Sequence, residues 1–414
     1  MTVEDTPAPA EADSPAPRPQ DSEPDRRLFD EIVGIGASVR QAVLLPLLAL
    51  VTALLVSGLI IALSDIDNLR RLGDDPIDAI GDILATIGDA YWALLVGSVG
   101  SLQAISETLN AATPLIFTGL AVAVGFRAGF FNIGSNGQLA MGGMAALWVA
   151  INFESLPGPL HLLLAVGAGL VGGGAWGFIP GILRARTGAH EVIVTIMLNF
   201  VALRYVDWLL KSSEFQAEGR DDPISQNADP DARLPHLLGF LDRSELRVHL
   251  GLVLAIAAVF LVQWMLTRST LGFQFRALGA NPHAARYAGM SISRLTVLAL
   301  TLSGAIAGLA GVTQILGVQY RATANFQGNL GFDGITVALL GRSNPYGVLA
   351  AALLFGALRA GGQEMQATTD VPIDLILVIQ ALVVVFIAAP ALIRAIWRIK
   401  VEDQTSAAPT GLAS

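Results

Sequence analysis

Apolar residues in this chain fall into long runs separated by short polar breaks. The first run, 42–63, is about 22 residues without a charge, enough for a helix to cross a hydrocarbon core of about 30 Å. It is too long for a signal-peptide core and has no convincing cleavage site, so it predicts a retained anchor. Further spans follow at 110–127, 134–152, 160–183, 190–210, 249–267, 294–317, 331–343, 345–360 and 372–393, about ten in all. Three of them, 110–127, 331–343 and 345–360, are short and interrupted by Gly, Pro or Asn. Such segments are either unwound backbone beside a protein-lined or watery cavity, or kinked packing helices. Ile77, Ile80, Leu84, Ile87, Tyr91 and Leu94 recur at helical spacing with Asp78, Asp82 and Asp89 between them. That pattern predicts an amphipathic helix lying at the outer surface. The expected fold is all-α, a polytopic transmembrane bundle with several broken or short helices.

Charge supplies the orientation. Only 14% of the 414 residues are charged, against about 25% in soluble domains. Residues 1–40 hold nine acids and four arginines, whereas 42–63 hold no charge. This Pro-, Ala- and acid-rich start cannot bury enough apolar surface to offset its ordering entropy. It is expected to be a disordered tail over 1–40, followed by a membrane domain over 41–395 and a short tail over 396–414. Loop 268–294 has Arg268, Arg276, Arg286 and Arg294 and no acid, while loops 64–90 and 211–248 carry seven and eight acids. The positive-inside bias then places both termini in the cytoplasm. Much of the net charge of −9 sits in the tail and these loops, so it says little about partners.

Several chemistries are excluded. There is no cysteine, hence no disulfide, thiolate metal site or Cys nucleophile. The two lysines, Lys211 and Lys400, follow Leu210 and Ile399, so no phosphate-binding loop exists. No HExxH or GxSxG occurs, and the five histidines have no ligand spacing. No catalytic residue, metal or cofactor is expected, and if the chain carries out active transport, the energy comes from an ion gradient or another subunit. An ion-coupled carrier would place ionisable groups in mid-span. Here Arg127 and Arg342 fall at inner ends of short spans, and Asp333 and Arg359 at outer ends.

Uncharged polar residues do cluster. Asn132, Gly134, Asn136 and Gln138 lie in FFNIGSNGQ, where amides offer donors and acceptors without a buried charge. This turn suits an uncharged hydroxylated or heterocyclic ligand, or a cytoplasmic turn capped by its own amides. Glu191, Thr195 and Asn199 share one helix face, lining a pathway or joining helices. Gln363, Glu364 and Gln366 read as a solvated outer loop. In loop 268–294, Asn281 is a good N-cap, Pro282 suits the first helical position, and Gly289 is a stop. The short helix between them, with Ala284, Ala285, Arg286 and Tyr287, is either a surface loop helix or one that inserts into a cytoplasmic partner.

Four stretches in order, ATPLIFTGLAVAVGFRAGFFNIGSNGQLAMGG, GAHEVIVTIMLNFVALR, TLGFQFRALGANPHAARYAGMS and GFDGITVALLGRSNPYGVLAAALLFGALRAGG, carry a resemblance. They are similar to the permease subunits of bacterial ATP-binding-cassette (ABC) importers, in the nucleoside and simple-sugar branch, over about residues 40–395. The resemblance implies a multi-pass protein of the bacterial cytoplasmic membrane that translocates nucleosides, purine nucleosides above all, with a simple sugar such as ribose as the alternative. It implies a cytoplasmic ABC ATPase that hydrolyses the ATP, a second homologous permease forming a heterodimer, and an extracytoplasmic substrate-binding lipoprotein. No nucleic acid is implied. Asn281 to Gly289 becomes the helix that couples to the ATPase, and the Asn132–Gln138 turn and Glu191–Asn199 face become pathway candidates. An autonomous secondary carrier or channel is the reading from another class.

Overall fold

The computed structural model describes residue 44 and residues 47–398, apart from 242, 244, 370, 372 and 373. The tail expected over 1–40, the start of the first span and residues 399–414 lie outside the described residues. Helices α1 (Leu47–Ser64), α2 (Ile66–Arg71) and α3 (Pro76–Val99) lead into α4 (Leu102–Arg127), α5 (Ser135–Asn152), α6 (Gly158–Thr187) and α7 (Glu191–Leu209). A long loop separates these from α8 (Gly251–Arg268), α9 (Thr270–Ala280), α10 (Pro282–Tyr287) and α11 (Ile292–Val312), whose last turns continue as a π-helix over Thr313–Gln319. The chain closes with α12 (Leu330–Leu340), α13 (Pro345–Thr368), α14 (Asp374–Ala388) and α15 (Pro390–Ile396). Eight helices are long and apolar enough to cross a membrane, and α12 and α14 are shorter apolar helices. Among the described residues no β-strand forms; isolated antiparallel bridges occur only outside the helices.

Nine of the ten expected spans fall each on one helix as far as they are described, and the tenth, 372–393, falls on α14 and α15, which part at Ala389. Two of the three expected to be short are not short. The segment 110–127 is the second part of the 26-residue α4, which runs through Pro114. Protein surrounds it, 83% of its apolar window being buried, so the hydrogen bond lost at proline is tolerated. Helix α13 extends past 360 to Thr368, because Gly361 and Gly362 form a contact surface rather than a stop. A Cβ at Gly361 would collide with the Leu94 carbonyl of α3, and one at Gly362 with Ile376 of α14. Gln363, Glu364 and Gln366 therefore ride on helix, not loop. The segment expected to lie at the outer surface, 77–95, is part of α3, whose 24 residues make it instead one of the eight helices long and apolar enough to cross a membrane. Its Tyr91 hydroxyl donates to the Leu54 carbonyl, and its Ser98 Oγ donates to the Ala357 carbonyl at 2.7 Å.

Close backbone packing builds the centre. Gly169, Gly173, Gly177 and Gly181 repeat every fourth residue on α6; the first three meet Gly304 and Gly308 on α11, and Gly181 meets Val297. A Cβ at Gly173 would collide with the Gly304 carbonyl, so the two backbones touch. Without a hydrophobic drive between lipid-immersed helices, such small-residue faces supply the van der Waals contact that joins them. The main core gathers α4, α5, α11, α12 and α13; a second cluster joins α1, α3 and α14.

Candidate translocation site and coupling helix

The backbone leaves α4 at Arg127, turns at Gly129 (φ +81°) and doubles back along the helix it has just left. A chain of bonds from Asn132 traces this return. Its Nδ2 donates to Ser303 Oγ at 2.8 Å, and that hydroxyl donates to the Ala121 carbonyl at 2.6 Å. Ala121 lies about 9 Å, six residues at 1.5 Å each, from the end of α4. Helix α5 thus starts well inside the bundle. Asn132 and Gln138 pair amide to amide, Nδ2 to Oε1 at 2.9 Å, and the Gly134 N–H donates to Asn132 Oδ1 at 2.9 Å.

Two more helices join the same knot, α7 through its middle and α12 at its start. Asn199 of α7 accepts from the Gly137 N–H at 2.8 Å and donates to the Ile133 carbonyl at 2.9 Å. Asn136 donates to the Gly328 carbonyl and accepts from the Gly331 N–H, each at 3.0 Å. Those two residues flank the start of α12, which also begins inside the bundle: Gly334 abuts Thr118 and Val337 lies over Gly119 of α4. At 11 residues, about 17 Å, α12 cannot cross alone. The amides supply the partners that the interrupted backbone would otherwise lack. Asn132 and Gln138 are fully buried, and Asn136 is 9% exposed.

The expected face of α7 is real. Glu191 and Thr195 are buried on the side of α7 that carries Asn199, with Thr195 against Gly134. Glu191, however, forms an ion pair with Arg184 at the end of α6. The Arg184 guanidinium also lies 5.3 Å over the Phe130 ring, so the pair ties α6 and α7 to the doubled-back segment.

The short helix in loop 268–294 forms with the expected ends. Asn281 Oδ1 accepts from the His283 and Ala284 N–H groups at 2.9 and 3.1 Å, Pro282 opens α10, and Gly289 adopts φ +79° beyond it. Tyr287 is 95% exposed, and Ala284 and Arg286 face outward with it, whereas Ala285 is buried. Immediately before α10, Gly279 packs on the far end of α4, where a Cβ would meet the Arg127 carbonyl and the Gly129 N–H. Helix α9 is therefore seated, backbone on backbone, against the turn that leads to the amide knot, and carries α10 with its outward aromatic directly after it.

Residues 104–388 match the family described as branched-chain amino acid transport system / permease component. The chain belongs to this family. It is an ABC transporter permease, a multi-pass membrane protein. Among its relatives is the guanosine ABC transporter permease protein NupP of Bacillus subtilis, 40% identical over 310 residues, 75% of this chain and 88% of the relative. The nucleoside ABC transporter permease protein NupB of Lactococcus lactis is 37% identical over 357 residues, 85% and 92% of the two chains. The glucose ABC transporter permease protein TsgB13 of Haloferax volcanii is 37% identical over 347 residues, 83% and 86%. The two bacteria each contribute a second relative, 24% identical: the guanosine permease NupQ and the nucleoside permease NupC. No solved structure matches.

The permease also holds residues that sequence reading missed. Ser303, the link between Asn132 and α4, sits in a run of Gly, Ala and Leu that gives no polar signal. Asp333 and Arg359, placed at span ends by the sequence, form an ion pair between α12 and α13. The extension of α13 to Thr368 puts Arg359 well inside the helix rather than at its end. The 211–250 loop lies over the π-helical end of α11: Ser225 and Ala228 donate to the Ala322 and Tyr320 carbonyls at 2.9 and 2.7 Å. The ring of buried His249 fills the space beside Gly317 and Gly251.

Proposed function

We propose that this permease takes up nucleosides, purine nucleosides above all, as one membrane-spanning half of an ABC importer. The observation that carries this is its likeness over most of its length to permeases named for guanosine and for nucleosides. Its own chemistry agrees, because uncharged amides prominent among the interior polar groups of α5 and α7 suit a neutral hydroxylated or heterocyclic solute. The glucose permease relative favours a second reading, uptake of a simple sugar, with ribose in the same class.

ATP is hydrolysed in a separate cytoplasmic ATPase that receives α10, whose outward Ala284, Arg286 and Tyr287 enter a cleft on that partner. The α10 end of the bundle and both termini are then cytoplasmic. Ala285 and Gly289 serve the packing and termination of the helix. A homologous second permease completes the pair, as the paired names among the relatives suggest, and an external lipoprotein delivers the ligand. The Asn132–Gln138 turn and the Glu191–Asn199 face form a joint beside the conduit, which shifts as the ATPase opens and closes.

Competition identifies the ligand. Cells with and without this chain take up labelled guanosine in the presence of excess unlabelled nucleosides, ribose or glucose. Nucleosides should abolish the chain-dependent uptake and sugars should leave it intact. The opposite order assigns the permease to sugars.

A further inference from the structure

The ion pair between α12 and α13 is unexplained by packing. Arg359 lies about 21 Å from the start of α13 and about 14 Å from its end, at 1.5 Å per residue. Asp333 sits level with Thr118, the residue that its neighbour Gly334 touches in the 26-residue α4. Neither charge is enclosed: the side chains are 31% and 21% exposed. Charges at such depth are costly against lipid, so a partly open ion pair marks a face turned to water or to a protein partner.

The residues around the pair continue that face. Asn329, Phe332 and Asp333 stand at i, i+3 and i+4 and share one side of the α12 N-terminal turn. Asn329 is exposed and Phe332 is 41% exposed. Upstream, Asn325 is also exposed, in the loop that descends from Tyr320, which pairs with the 211–250 loop, to Gly328 at the amide knot. A polar strip thus runs from one end of the bundle to its middle, along the element that the amides anchor. It combines an aromatic face, amides and a carboxylate within one helical turn.

We infer that Asn325, Asn329, Phe332 and the Asp333–Arg359 pair form this subunit's wall of the water-filled conduit, where a nucleoside stacks its base on Phe332 and offers its hydroxyls to Asp333. The inference rests on the nucleoside reading for its ligand, but not for the position of the wall. Aromatic rings accept any base face, and a carboxylate accepts hydroxyl protons without selecting among bases. The strip therefore selects for a hydroxylated heterocycle over a solute lacking either part.

The cysteine-free chain makes the test direct. In membranes holding the assembled importer, Asn325→Cys, Asn329→Cys and, as an apolar control exposed on α8, Leu261→Cys are treated with a membrane-impermeant sulfonated thiol reagent. Labelling at 325 and 329 should be at least tenfold faster than at 261; rates no faster than the control overturn the wall. Guanosine should slow labelling at 329. Protection by glucose in its place would keep the wall and overturn the nucleoside reading. In uptake, Phe332→Ala should raise the guanosine KM about tenfold, in line with base stacking on aromatic side chains, with little change in maximal rate. An unchanged KM overturns the stacking contact.

Discussion

Asn199 spends both ends of its amide on backbone, accepting from Gly137 and donating to Ile133. Asn199→Leu would leave that N–H and carbonyl unpaired, at about 1–3 kcal/mol for each buried orphan. The variant is expected to melt at lower temperature in detergent and to lose most uptake; a melting curve matching the parent would contradict the joint. The amides were legible because FFNIGSNGQ concentrates polar groups between apolar runs. Their geometry was not, since no local pattern says that the chain doubles back along α4. Ser303 was invisible for a related reason: a lone serine among small residues reads as packing, and only its neighbours across the fold show that it bridges Asn132 and Ala121.

At the scale of elements, the best-read piece was α10. Its capping asparagine, first-turn proline and terminal glycine act through local geometry, which sequence encodes directly. Long helices were harder to delimit. Glycine pairs in α13 and proline in α4 resemble breaks, yet in a protein-lined bundle they are contact surfaces. The seat of α10 gives a sharp expectation. Gly279→Val would push α9 off the Arg127–Gly129 turn, so ATP-driven uptake should fall at least tenfold while the variant still inserts in the membrane. Uptake equal to the parent would mean that this contact transmits nothing.

The 211–250 loop has its own pH dependence. Burial, reinforced by the nearby His236, lowers the His249 imidazole from 6.5 to about 4. The opened loop therefore binds the proton more readily than the closed one. Stability from the neutral ring is complete above about pH 6.5 and is lost as pH falls toward 4. Proteolytic cutting within 211–250 should rise across that window, and His249→Gln should flatten the rise. Cutting independent of pH in the parent would rule the ring out as its cause.

For the whole molecule, the division between charge-free runs and charged loops revealed the membrane class, because hydrocarbon tolerates so few alternatives. It also hid the Asp333–Arg359 pair, since a charge beside an assumed span end looks peripheral until the helix is seen to continue. What emerges is a bundle in which α5 and α12 both start inside it, on an amide knot. Helix α9 rests on the turn that leads there, so, if α10 couples to an ATPase as proposed, force applied at α10 passes through α9 along packed backbone to the interior.

On the proposed function, this permease moves its ligand only when an outside motor drives it. Proteoliposomes can be prepared with this chain alone, and with its second permease, ATPase and binding protein, then given labelled guanosine with and without ATP. Uptake should appear only with the complete set and ATP, and the chain alone should stay at leak level. Robust guanosine flux through the chain alone would contradict the account.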